Sequence, residues 1–102
     1  MKRVIVATAF TLICTFVVST SHARPWRWEA NQKNTPGWQL MTPEERIEHR
    51  TKMRSFTEYS ACTEYVAEHH AKMVERAKER GVPAPVMRTN PCDVMKARGV
   101  LK

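Results

Sequence analysis

TPEERIEHRTKMRSFTEYSACTEYVAEHHAKMVERAKERG, residues 42–81, decides the fold. It opens on helix-start signals. Thr42 can accept the N–H three residues on, Pro43 suits the first helical position, and Glu45 stands where a capping box places its acid. Ile47, Met53 and Phe56, with Leu40 and Met41 just ahead, form a thin apolar stripe among charges. This pattern predicts a helix ending near Ser55, where Ser55-Phe56-Thr57-Glu58 repeats the capping-box spacing and announces a second helix. There Tyr59, Cys62, Val66, His69 or His70, Met73 and Ala77 recur every three or four residues. Lys78 and Arg80 suit the negative end of the macrodipole, and Gly81 stands just past the last turn.

Beyond Gly81, Val82-Pro83-Ala84-Pro85 cannot continue a helix and is expected to be extended. Asn90, Pro91 and Asp93 then signal a very short third helix, closed by Gly99. Cys62 lies near the start of the second helix, about 27 Å from Arg80 at 1.5 Å per residue. Residues 81–92 can reach back over roughly 36 Å or more, so the strap can run antiparallel to the helix and bring Cys92 to Cys62. The expected fold is all-α, a small two-helix hairpin over residues 40–102 with its C-terminal helix strapped back by one disulfide. That bridge matters, because a core this small is marginal without a staple. No Cys-x-x-Cys spacing supports a thioredoxin-like redox site.

Upstream, residues 1–23 read as a signal peptide. Lys2-Arg3 give the positive start, Val4 to Val18 is apolar, and Ser21-His22-Ala23 offers small residues for cleavage after Ala23. An uncleaved anchor is the competing reading, although the run is shorter than the ~20 residues that span a bilayer. Leu12-Ile13 before Cys14 does not fit a lipid-attachment site. The mature chain is expected to be periplasmic or secreted and to carry its two cysteines as a disulfide. Residues 24–39, with Pro25, Asn31, Pro36 and Gly37, show no periodicity and read as an irregular N-terminal arm. Its tryptophans are costly to leave in water: Trp26 and Trp28 either make weak contact with a membrane surface or fold back, with Trp38, over the core. Without Lys2 and Arg3, 15 basic residues face 10 acidic ones, a net charge of +5. The basic residues are interleaved with Glu, which argues against a nucleic-acid partner and for a solvated mixed-charge surface.

The chemistry-bearing feature is a repeat. Glu48-His49-Arg50-Thr51-Lys52-Met53 and Glu68-His69-His70-Ala71-Lys72-Met73 are offset by 20 residues and agree at four of six positions. His and Met four apart share a helix face, and imidazole with thioether suits Cu(I) or Ag(I) rather than Zn, Mg or Ca. His49/Met53 and His69/Met73 are therefore candidate metal ligands, with His70 and Met41 as possible additions. On one continuous helix the pairs lie about 30 Å apart, and in a hairpin they are expected at different heights, which implies two separate sites or completion by a second protomer. The structural alternative makes Met73 a packing residue beside Cys62, Val66 and Ala77, and one of His69 and His70 an ordinary surface residue. No nucleophile elbow, phosphate loop or His-Glu-x-x-His is present, so an enzyme is not expected.

From Leu40-Met41-Thr42-Pro43-Glu44-Glu45-Arg46 through Asn90-Pro91-Cys92-Asp93 and Met95-Lys96-Ala97-Arg98-Gly99, the chain resembles a group of small, uncharacterised secreted proteobacterial proteins. Leu40-Met41-Thr42-Pro43-Glu44 is similar to the Leu-Thr-x-x-Gln motif of the Spy and CpxP periplasmic chaperones, with Met41 intervening and Glu45 in place of Gln. The His49/Met53 and His69/Met73 pairs resemble those of the silver-binding SilE group, from which the disulfide-locked tail departs. These resemblances imply either a periplasmic metal-binding or metal-stress protein, or a metal-free, chaperone-like envelope-stress module, dimeric or binding unfolded clients.

Overall fold

A computed structural model describes residues 26–102, and Thr15 alone ahead of them. The signal peptide expected over residues 1–23 otherwise lies outside the described residues. Three helices follow in order: α1, Pro43–Ser55; α2, Tyr59–Arg80; and α3, Pro91–Ala97, with a 3-10 turn at Trp38–Leu40 before them. No strand occurs among the described residues, and the fold is all-α.

The local signals account for most helix ends. The Thr42 hydroxyl accepts the Glu45 N–H at 3.2 Å while the Glu45 carboxylate accepts the Thr42 N–H at 3.1 Å, closing the capping box of α1. Val82 and Gly81 donate back to Ala77 and Lys78 at 3.0 and 3.2 Å, the paired bonds of a Schellman motif, with Gly81 at φ 66°. The Asn90 side chain caps α3 by accepting the Cys92 N–H at 2.9 Å. One local expectation fails. Ser55 turns back to donate to the Lys52 carbonyl, and α2 begins at Tyr59 with no side-chain cap. Its first N–H instead meets the Lys102 carbonyl at 2.8 Å, and the Lys102 N–H meets the Thr57 carbonyl at 2.9 Å. A tertiary contact satisfies the orphan donor that residues 55–58 promised to satisfy locally.

The strap runs as its length allows. Pro85 lies beside His70, halfway back along α2, and Cys92 bonds to Cys62 with Cα atoms 5.9 Å apart. Around that disulfide, which marks a chain folded in an oxidising compartment, pack Trp28, Met53, Val66, Met95 and Leu101. No helix among the described residues is long and apolar enough to cross a membrane.

The arm is more ordered than its composition suggests. Trp28 is 4% exposed and belongs to the core, so the membrane contact considered for Trp26 and Trp28 is left to Trp26 alone. Three guanidinium groups hold the arm and the 3-10 turn at its end by their carbonyls. Arg54 donates to Trp28 at 2.8 Å, Arg46 donates to Trp38 through two nitrogens, and Arg76 donates to Leu40 at 2.8 Å. Backbone that finds no partner in a helix must find one elsewhere, and these arginines supply it. Arg46, Arg50 and Arg54 are spaced by four on one face of α1, so the arm lies along that face with Arg50 and Arg54 also paired to Glu29. Ile47, assigned above to the apolar stripe, is 55% exposed; the buried positions of α1 are His49 and Met53.

Candidate functional site

The hairpin turn at Phe56–Glu58 sets the geometry of the repeat. Counting equally from residue 57 places residue 49 level with residue 65, one helical turn from residue 69. His49 therefore meets both. Its Nδ1 lies 2.9 Å from the Tyr65 hydroxyl, and its ring stacks on His69 with centroids 4.2 Å apart and planes 27° off parallel. The edge of Trp28 closes the far side at 5.6 Å. The expectation that the two repeats sit at separate heights is thus corrected. One turn of offset, about 5.4 Å, is small enough for the two imidazoles to stack face to face.

The same arithmetic separates the methionines. Both lie four residues after their histidine, and the helices run in opposite directions. Met53 therefore falls one turn toward the hairpin bend and Met73 one turn away from it, about 18 Å apart along the axis. Met53 is 0% exposed in the disulfide core. Met73 is 1% exposed and lies under Gly37, where a Cβ would come within 2.5 Å of its Cγ. The arrangement brings His49 and His69 together and leaves Met53 and Met73 on opposite sides of them. His70 points the other way and donates Nε2–H to the Pro85 carbonyl at 3.0 Å. Both adjacent histidines are half-buried, so neither is the ordinary surface residue that the sequence allowed for.

In front of the histidine pair opens a cleft of about 310 Å³, lined by Met41, Glu45, Glu48, His49, Lys52, Tyr65, His69 and Lys72. Met41, the loose thioether of the sequence, borders the same space as both imidazoles. No protein group bonds to His69 among the described residues. Among the described residues no fully buried side-chain nitrogen or oxygen is left unpartnered, so the unpartnered ring nitrogens are not sealed from solvent.

Burial, reinforced by the neighbouring His69, lowers the His49 pKa to about 4. Burial and then Lys72 lower that of His69. Both rings are therefore neutral near pH 7, the state in which imidazole binds a metal. Burial, with Glu48 adding to it, raises the Tyr65 phenol, which keeps its proton. At the rim, Arg76 donates to Glu45 at 2.8 Å and Lys72 lies 4.0 Å away. The Arg76 bond, then the Thr42 N–H, lowers the Glu45 carboxyl to about 2. Glu45 is thereby an ion-pair partner that fixes the arm and α1 to α2 rather than an open ligand.

Among the described residues no three of His, Cys, Asp and Glu converge to hold a metal ion. The donor set on offer is two imidazoles and a neighbouring thioether. Tyr65 and Arg76 escaped sequence reasoning. Tyr65 was legible as the residue one turn before His69 on the same face, whereas nothing local marks Arg76 as the partner of Glu45. No protein-family description, curated protein or solved structure matches this chain.

Proposed function

We propose that this chain is a small, non-enzymatic, soft-metal-binding or metal-stress protein of the periplasm, exported by the signal peptide at residues 1–23 and holding Cu(I) or Ag(I). The observation that carries this reading is the His49–His69 stack, two neutral imidazoles with centroids 4.2 Å apart opening on a cleft shared with Met41. Each imidazole would bind an ion through a lone pair in the plane of its ring, so the two stacked rings would share one ion at the edge of the stack rather than between their faces. A set of two nitrogens and one thioether suits a monovalent soft ion of low coordination number. The reading thus moves from two His-x-x-x-Met sites to one shared site, with Met53 and Met73 as packing residues. Its chemistry needs the His49 tautomer in which Nδ1–H donates to Tyr65, leaving the Nε2 lone pair for the metal. The likeness to the SilE group belongs to this reading.

A second reading, the metal-free chaperone-like module of the Spy and CpxP resemblance, is favoured by a different observation. A groove of about 630 Å³ runs between the 3-10 turn and the strap, where Trp38, Leu40, Val82, Pro83 and Val86 offer apolar contact beside Gln39 and Arg80. Calorimetric titration of the oxidised protein with Ag(I) separates the two. The metal reading expects saturable binding that His69→Gln weakens tenfold or more while leaving helicity unchanged. Binding equal in wild type and His69→Gln, or none, refutes it and turns attention to anti-aggregation activity.

A further inference from the structure

A second surface, built from residues that the metal reading does not use, stands where the arm meets α3. Trp26 is 38% exposed and is covered on one side by the Arg98 guanidinium, 5.0 Å from its ring centroid. Val94, also 38% exposed, lies one turn before Arg98, so the two share a face. Trp26, Arg27, Lys33 and Val94 line one shallow cleft there. We propose that this face docks on an anionic lipid bilayer, with Trp26 and Val94 entering the headgroup region and Arg27, Lys33 and Arg98 meeting lipid phosphates.

Charge complementarity selects the occupant. Among the described residues, Arg27, Lys33 and Arg98 make no ion pair, and residues 1–25 contain no Asp or Glu that could supply one. Of the acids near this face, Glu29 pairs with Arg50 and Arg54, while Asp93 accepts the neutral Tyr59 hydroxyl and keeps its charge, which leaves the three cations in excess. The face therefore presents cations around an exposed indole and an aliphatic side chain, the composition that favours the water–lipid boundary. Neither the metal cleft nor the strap groove brings such a cluster of unpaired cations together with an exposed tryptophan.

The test uses the oxidised chain from Arg24 onward, a length that includes every described helix, the disulfide and the core. It is mixed with vesicles of phosphatidylcholine alone or of phosphatidylcholine with phosphatidylglycerol, at low and high salt, and partitioning is read by co-sedimentation and tryptophan fluorescence. Each basic residue near an anionic surface strengthens binding roughly fivefold, so three cations give a preference on the order of 100-fold for the anionic vesicles. That preference should shrink in high salt and fall about 25-fold in the Arg27→Gln/Arg98→Gln double variant. The emission should shift to the blue on binding, and Trp26→Phe should remove the shift, since Trp28 is already buried and the half-buried Trp38 lies in the strap groove, away from this face. His69→Gln should bind vesicles like wild type, which keeps this result independent of the metal site. Equal partitioning to both vesicle types, no binding at low salt, or a double variant that binds like wild type would overturn the proposal.

Discussion

Acidifying the metal-free protein should loosen α1 from α2, and His49 sets where this happens. Its imidazole is 4% exposed, wedged between Trp28, Tyr65 and His69, and its pKa is lowered from 6.5 to about 4. Between those values the unfolded chain takes up a proton that the folded chain refuses. Stability is therefore complete above pH 6.5 and is lost progressively down to about pH 4. At about 1.4 kcal/mol per unit the loss reaches about 3 kcal/mol, a large share of the stability of a small domain. His69 is lowered too and adds in the same direction. Urea unfolding of wild type and His49→Phe across that range measures the effect. Phenylalanine keeps an aromatic ring in the space but cannot titrate, and Glu45 and the other carboxylates contribute to both curves alike. The stability difference between the two proteins should change by about 3 kcal/mol in favour of the variant as pH falls to 4. Parallel stability curves would refute the claim that a buried, neutral imidazole joins the helices.

Three further outcomes follow from single contacts. Gly37→Ala should cost about 2–4 kcal/mol, read as a lowered urea midpoint, because Gly37 sits at φ 84° with Met73 directly beneath it; Met73→Ala in the same background should recover part of the loss if the steric contact matters, and none if it does not. Reducing the Cys62–Cys92 bond, which spans a separation of 30 residues, should cost about 3–4 kcal/mol. Because both cysteines are fully buried, reduction without denaturant should proceed only as fast as the protein opens. Tyr65→Phe should weaken Ag(I) binding by about 10-fold or more through loss of the bond that orients His49, with little change in the far-UV spectrum.

The helices, their caps and the disulfide were legible because each rests on short-range chemistry: Thr42 with Glu45, Asn90 with Cys92, Gly81 at φ 66°, and a strap long enough to return to Cys62. The place where α2 starts was legible but its cap was not, because its donor is satisfied by Lys102, a partner 43 residues away that no local pattern announces. The arm read as irregular because its order comes from arginine side chains on α1 and α2, not from its own backbone periodicity. A stripe of Arg46, Arg50 and Arg54 was visible in the sequence, but its partners were not. The repeat was visible as well. What hid the site was register: a direct repeat folded into an antiparallel hairpin brings its histidines together and drives its methionines apart.

That last point gives the decisive measurement, a titration of the oxidised protein with Ag(I) followed by two-dimensional NMR of imidazole and methionine methyl signals. A single shared site predicts saturation at one ion per chain, with shifts concentrated on His49, His69 and the Met41 methyl and with Met53 and Met73 unmoved in the core. Saturation at two ions with Met53 and Met73 shifting, or shifts spread over every methionine, would contradict it.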